Sequence, residues 1–177
     1  MKLVILDRDG VINADSDDYI KSPEEWKPIP GSLEAIARLT QAGFHLVVAT
    51  NQSGLQRGLF DMATLNAMHD KMHKAVNQLG GSIDAVFFCP HAPDAGCACR
   101  KPQPGMLLEI ARRYKIALAE VAVIGDTLRD LRAASAAGAR PVLVLTGKGG
   151  QTLKSGDLPE GTEVHADLAA AALALSA

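Results

Sequence analysis

No apolar run in this 177-residue chain approaches the roughly 20 residues that a membrane-spanning helix needs; the longest are strand-sized. A basic stripe is missing too. Eighteen lysines and arginines stand against 20 acids, a formal net charge of -2, so the footprint of a nucleic-acid binder is absent. No secretory signal is read at the start, where Met1-Lys2 passes through Leu3–Leu6 straight into Asp7. A cytoplasmic location is therefore expected, without membrane or nucleic-acid partners. Cysteine is scarce and odd in number: three cannot make a disulfide framework, and they call for another explanation. No internal repeat or low-complexity segment divides the chain, and residues 1–177 are expected to form one domain. What is present is ordinary, 47% apolar and 21% charged residues, enough for a hydrophobic core.

Short apolar runs alternate with segments of helical period. Strands are expected at Lys2–Leu6, Phe44–Ala49, Ile83–Phe88, Val121–Ile124 and Pro141–Leu145. Between them, helices are expected after caps at Ser32, Asp61 and Asp126 and after Pro104, with a terminal helix over Asp167–Leu175. The stretch Gly147–Gly161 reads as a loose connection. Strands apolar on both faces and separated by helices predict an α/β fold, a three-layer doubly wound parallel sheet. Ligands of such folds bind beyond the carboxyl ends of the strands.

Those ends carry Asp7-Arg8-Asp9-Gly10, Thr50-Asn51, Arg100-Lys101 and Gly125-Asp126. Each has a plain structural explanation: an Asp-Gly turn, a loop threonine, a solvated lysine, a helix cap. Taken together they suit phosphoryl chemistry. Asp7 is then an ionised nucleophile, and Asp9 the acid that protonates the leaving alcohol and later deprotonates water. Thr50 holds a phosphoryl oxygen and Lys101 neutralises developing charge. Asp126 joins Asp7 on Mg²⁺, a cation that takes one or two carboxylates plus phosphate oxygens. Asp130, one turn on, either supports this end or is a surface charge.

All three cysteines fall in one loop, Cys89-Pro90-His91 followed by Cys97-Ala98-Cys99. Three thiols and one imidazole make the ligand set of a closed tetrahedral Zn²⁺ site. Four protein ligands leave no position for water, so this zinc is expected to be structural, stiffening the loop that delivers Arg100 and Lys101.

The order Asp-x-Asp, Thr, Lys, Asp over residues 1–147 resembles the haloacid-dehalogenase-like phosphatases. The resemblance implies that Asp7 is the nucleophile, Asp9 the general acid/base, Thr50 and Lys101 phosphoryl stabilisers, and that the main-chain carbonyl of Asp9 joins Asp7 and Asp126 on Mg²⁺. The cysteine loop resembles that of a zinc-loop subfamily whose members act on heptose bisphosphate or on histidinol phosphate. The runs Thr50–Gly58 and Lys101–Met106 are closer to the heptose side, which implies a small phosphosugar substrate and a place in lipopolysaccharide precursor synthesis; histidinol phosphate is the alternative. By the same likeness Asp7, Arg8, Asp9, Asp15, Asp18, Tyr19, Thr50, Asn51, Gln52, Ser53, Arg100 and Lys101 bind substrate, with Arg100 at the sugar-phosphate end. Position 127 is threonine where some heptose enzymes carry lysine. No insertion is long enough for a large cap, and an open small-molecule site leads us to expect a monomer. A non-enzymatic zinc module, with the aspartates as turns, is the third possibility.

Overall fold

The computed structural model describes residues 1–177. Its elements are β1 (Lys2–Leu6), α1 (Ser32–Gln41), β2 (Phe44–Asn51), α2 (Met62–Gln78), β3 (Ala85–Cys89), α3 (Gly105–Tyr114), β4 (Ala122–Gly125), α4 (Leu128–Ala136), β5 (Arg140–Val144), α5 (Gly149–Ser155), β6 (Glu163–His165) and α6 (Leu168–Ser176). The strands form one sheet in the order β3-β2-β1-β4-β5-β6, every pairing parallel.

Strand geometry explains why the runs are apolar throughout. Along β1, Val4 and Leu6 point to one face and pack with residues of α1, α2 and α6, while Leu3 and Ile5 point to the other and pack with α3 and α4. Helices thus cover both faces, as expected from the sequence. Chain direction across the sheet reverses between β1 and β4, where Leu6 pairs with Ile124 and Asp7 N donates to Ile124 O at 2.9 Å. That reversal is the switch point at which doubly wound sheets open a crevice. Asp7 and Asp126 both lie there.

Several local expectations change. Ser32 is not a cap: Gly31 holds that place in a left-handed conformation, and the Ser32 hydroxyl donates to Val11 O at 2.7 Å. Asp126 does not cap α4 either. Thr127 does, in a capping box with Asp130, which frees the Asp126 side chain. The supposed loose connection contains α5, and β6 follows it. Glycine-rich α5 has little intrinsic helical tendency. It forms because Gly149 packs where any Cβ would overlap Val144 O, and because Thr152 Oγ1 bonds Asp126 O at 2.7 Å.

No cap rises over the sheet. The segment between β1 and α1 folds down instead, pinned by fully buried Trp26, the loss of which would cost about 3–5 kcal/mol. Lys71 of α2 closes it, donating to Pro23 O at 2.6 Å and Trp26 O at 2.8 Å.

Candidate active site

Beyond the ends of β1, β2 and β4 lies a cavity of about 210 Å³, with two hydrophobic residues among the 18 that line it. A pocket so polar suits a small, highly charged ligand and not an apolar one. The sequence-expected Asp7, Asp9, Asp15, Tyr19, Thr50, Asn51, Gln52, Ser53, Arg100, Lys101 and Asp126 all reach it. Arg8 and Asp18 do not. Arg8 is fully buried behind Asp9, which removes its side chain from ligand contact, and Asp18 turns to a separate surface depression.

At the floor, Lys101 spends its three ammonium donors on Asp130 Oδ1 at 2.7 Å, Ala49 O at 2.8 Å and Asp7 Oδ1 at 3.2 Å. Asp7 Oδ1 also accepts from Arg8 N at 2.8 Å. Both contacts fall on one oxygen, and Oδ2 is left without a partner at the cavity wall. Asn51 fixes the approach of Lys101 from the other side, its amide pairing with the Lys101 N–H at 3.1 Å and carbonyl at 3.2 Å. Thr50 is buried, and its Oγ1 accepts from Gln52 Nε2 at 3.0 Å, an arrangement that aims the hydroxyl proton elsewhere.

Asp130 is a support and not a surface charge. Its Oδ2 accepts from Asp126 N, Thr127 N and Thr127 Oγ1 at 3.0–3.1 Å, so both oxygens are spoken for. Burial would raise its pKa, but Lys101 and the Thr127 donors outweigh that and keep it below the ordinary range. Burial would likewise lower Lys101; Asp130 and Asp7 reverse the sign and raise it.

Asp126 contrasts with Asp130. Its Oδ2 takes one bond, from Lys148 N at 2.9 Å, and buried Oδ1 takes none. Burial, then Asp130, push its pKa up to about 7. Asp7 is held well above the carboxylate range by burial and by Asp130 and Asp126, against the pull of Lys101. Carboxylate oxygens of Asp7, Asp126 and Asp130 lie within 4.8 Å of one another. Three carboxylates facing one ammonium leave a deficit of two charges, and an orphaned buried oxygen points into it. A divalent hard cation fits that environment, with Asp7, Asp126 and the Asp9 carbonyl as the groups to hold it. Gly10 and Gly147 make room for the Asp126 carboxylate: both have positive φ, and a Cβ on either would overlap Asp126 Oδ2.

The cysteine loop closes as expected. Cys89 Sγ lies 3.6 Å from Cys97 Sγ and 3.4 Å from His91 Nδ1, which is 3.3 Å from Cys99 Sγ. A Zn–S bond of about 2.3 Å implies tetrahedral edges of roughly 3.8 Å, so this group is already near the size of a zinc shell. Sulfurs 3.6 Å apart are not disulfide-bonded. Burial and the neighbouring Cys89 and Cys97 push Cys99 up to about 12, crowding that a cation relieves. The loop is tied to the Thr50 region by Gln52 N to Cys89 O at 2.8 Å and Gln56 N to Pro90 O at 3.2 Å. Zinc-loop order is thereby passed to both Thr50 and Lys101.

Outside the Asp15–Tyr19 stretch that the resemblance assigns to substrate, three lining residues were not singled out in the sequence: Ile20, Arg129 and Lys148. Arg129 adjoins Arg100, whose pKa is lowered by burial and then by Arg129 and Arg57. Arg100 and Arg129 line the cavity, and neither has an acidic partner among the ion pairs. Lys148 reaches Asp15 at 3.5 Å and Asp17 at 3.7 Å, bridging the β1–α1 segment to the start of α5. Arg129 sits inside the Thr127-x-x-Asp130 box, a legible signal for a helix start; nothing marked Lys148, since α5 itself was not visible.

A parallel switch-point crevice with an unpartnered aspartate oxygen, a second carboxyl beside it and a buried lysine is the residue set of a phosphoryl-transferring hydrolase. Residues 98–171 match the family profile described as HAD-hydrolase-like. The D-glycero-beta-D-manno-heptose-1,7-bisphosphate 7-phosphatase of Bordetella bronchiseptica is 66% identical over 97% of this chain and 96% of its own length. The enzyme of the same name from Pseudomonas aeruginosa is 56% identical over 98% and 97%. A crystal structure of D,D-heptose 1,7-bisphosphate phosphatase from B. bronchiseptica complexed with magnesium and phosphate matches with a TM-score of 0.98, covering 99% of this chain and 98% of that one at 66% identity. The corresponding Burkholderia thailandensis structure matches at 0.80, with 58% identity and coverage of 99% and 98%. The chain belongs to this D-glycero-beta-D-manno-heptose-1,7-bisphosphate 7-phosphatase family of the haloacid-dehalogenase-like hydrolases.

Proposed function

We propose that this protein removes the 7-phosphate of D-glycero-beta-D-manno-heptose 1,7-bisphosphate, using Mg²⁺ in the carboxylate site and Zn²⁺ in the cysteine loop. The observation that carries the reading is the pair of side chains, Asp7 and Asp9, presented to one polar cavity above Lys101 and Asp126. The names of the relatives supply the substrate and its anomer. Bound Mg²⁺ neutralises charge on Asp7 and on the phosphoryl group as they approach.

Asp7 attacks phosphorus, forming an aspartyl phosphate as the bond to the sugar O7 breaks. Asp9 delivers its proton to that oxygen. Thr50 and Lys101 hold the phosphoryl oxygens while charge shifts. Asp9, now ionised, takes a proton from water; the water oxygen attacks phosphorus, and phosphate leaves with Asp7 restored. The phosphate that is not attacked rests toward Arg100 and Arg129, whose shared positive charge lacks an acidic partner. Arg129 then supplies, two positions on, the cation that Thr127 does not. The residues given roles above lie together in one cavity of one domain, and a monomer suffices for the reaction as written. No helix is long and apolar enough to cross a membrane. A cytoplasmic place beside the soluble sugar phosphates of lipopolysaccharide precursor synthesis suits the unpaired thiols.

Phosphate release with Mg²⁺ should favour the heptose bisphosphate over histidinol phosphate by at least about 100-fold in kcat/KM, since one lacks the second anion the arginines await. A preference for histidinol phosphate would overturn the substrate assignment.

A further inference from the structure

Behind Asp9, away from the cavity, lies a buried arginine with an unusual set of neighbours. Arg8 has no exposed surface. Its Nε donates to Asp9 Oδ1 at 2.8 Å, and Asp9 is its one ion-pair partner. Asn13 Nδ2 reaches the same oxygen at 2.9 Å. Both bonds therefore fall on Oδ1 and leave Oδ2 without a side-chain partner, on a residue that lines the cavity.

The far side of the guanidinium meets helix α2. Arg8 Nη1 lies 3.2 Å from His69 Nε2, and Nη2 is buried without a partner. An arginine is always a donor, so His69 Nε2 must accept, which requires a neutral ring with its proton on Nδ1. Burial and then Arg8 lower the His69 pKa to about 4, consistent with that tautomer. With Nη2 unheld, His69 is the contact that stops the guanidinium from rotating away from Asp9.

We propose that His69, acting through Arg8, is a positioning residue for the general acid Asp9. This rests on the phosphatase reading above and deepens it. His69 touches neither substrate nor metal; it fixes which oxygen of Asp9 faces the leaving group. The consequence is chemically selective. A sugar alkoxide leaves poorly and needs the proton in the first step, whereas acetate leaving from acetyl phosphate does not.

The test isolates the first step by rapid quench, following aspartyl-phosphate formation from the heptose bisphosphate and from acetyl phosphate. In His69→Leu, formation from the sugar phosphate should slow about tenfold, the effect of losing one charged hydrogen bond. Formation from acetyl phosphate should stay within about twofold, as should KM for both. His69→Gln, which keeps an acceptor, should restore the sugar-phosphate rate. Arg8→Lys, which keeps the charge but loses the fork, should show the same selective loss and carries the test if His69→Leu does not fold. Equal slowing on both phosphate donors, no slowing on either, or failure of glutamine to rescue would overturn the inference while leaving the phosphatase reading intact. A wild-type protein that forms no aspartyl phosphate from either donor would instead overturn that reading, and this inference with it.

Discussion

The carboxylate cluster at the strand ends and the thiol cluster after β3 both crowd acidic side chains within a few ångströms, yet they settle the crowding differently. The thiol loop closes on itself: neighbouring donors lie 3.3–3.6 Å apart, a group that one metal ion could satisfy as a whole. The carboxylate site stays open. Asp130 is fully bonded, but Asp126 keeps a buried, unpartnered oxygen and Asp7 an oxygen at the cavity wall. Two acids of the same cluster, four residues apart, thus have pKa values displaced in opposite directions, Asp126 up to about 7 and Asp130 downward. The lesson is that unsatisfied groups mark where chemistry occurs and satisfied groups mark what holds it in place.

Variants that act on only one cluster sharpen this contrast. Asp7→Asn should lower turnover by about 10⁴-fold, the loss typical of a removed nucleophile. It should leave zinc content unchanged and, by relieving carboxylate repulsion, should not lower the melting temperature of the metal-free protein. A large drop in melting temperature would mean that Asp7 is held for stability. Lys101→Met reverses that pattern. It strands Asp130 and Asp7 without their counter-ion, and a loss of about 3–5 kcal/mol in denaturant titration is expected along with lost activity.

Removing zinc with a strong chelator probes the other cluster. Turnover should fall about 10- to 100-fold, the order that a 1 Å misplacement of Lys101 and Thr50 costs, and zinc should restore it. Unchanged activity in zinc-free, folded protein would break the link from the loop to the site. The smallest effect is expected from Thr127→Ala, which loses a cap hydroxyl worth about 1 kcal/mol, or roughly 2–4 °C in melting temperature for a chain of this size. Turnover there should change only a few-fold; a collapse would make Thr127 a substrate contact and not a cap.

These expectations rest on parts of the molecule that differed in how far they could be read from sequence. The cysteine loop was legible because its ligand spacing is local, all four donors lying between residues 89 and 99. The strand-end acids were legible as a series because hydrophobic runs announce where strands stop. Roles that depend on tertiary contacts were not. Arg8 adjoins Asp9 in sequence, and only packing against α2 shows that it faces inward to His69, 61 residues away. Of the two roles expected of Asp126, cap and metal ligand, the cap falls to Thr127, while Lys148 N and Thr152 Oγ1, from the start of α5 and from α5, hold Asp126. α5 was itself hidden by its glycines, which disfavour helix until the surrounding strands fix them.

The claim on which the rest depends is that Asp7, and not Asp9, carries the phosphoryl group. Trypsin separates the two, cutting after Lys2 and Arg8 to give the peptide Leu3–Arg8 with Asp7 as its only acid, while Asp9 begins the next peptide. Borohydride converts an aspartyl phosphate to homoserine, so wild-type enzyme quenched during turnover with Mg²⁺ and the heptose bisphosphate can be reduced, digested and weighed. The account predicts homoserine at position 7 in Leu3–Arg8 and an unchanged Asp9 peptide. Homoserine at position 9, or none in either peptide while phosphate is being released, would contradict it.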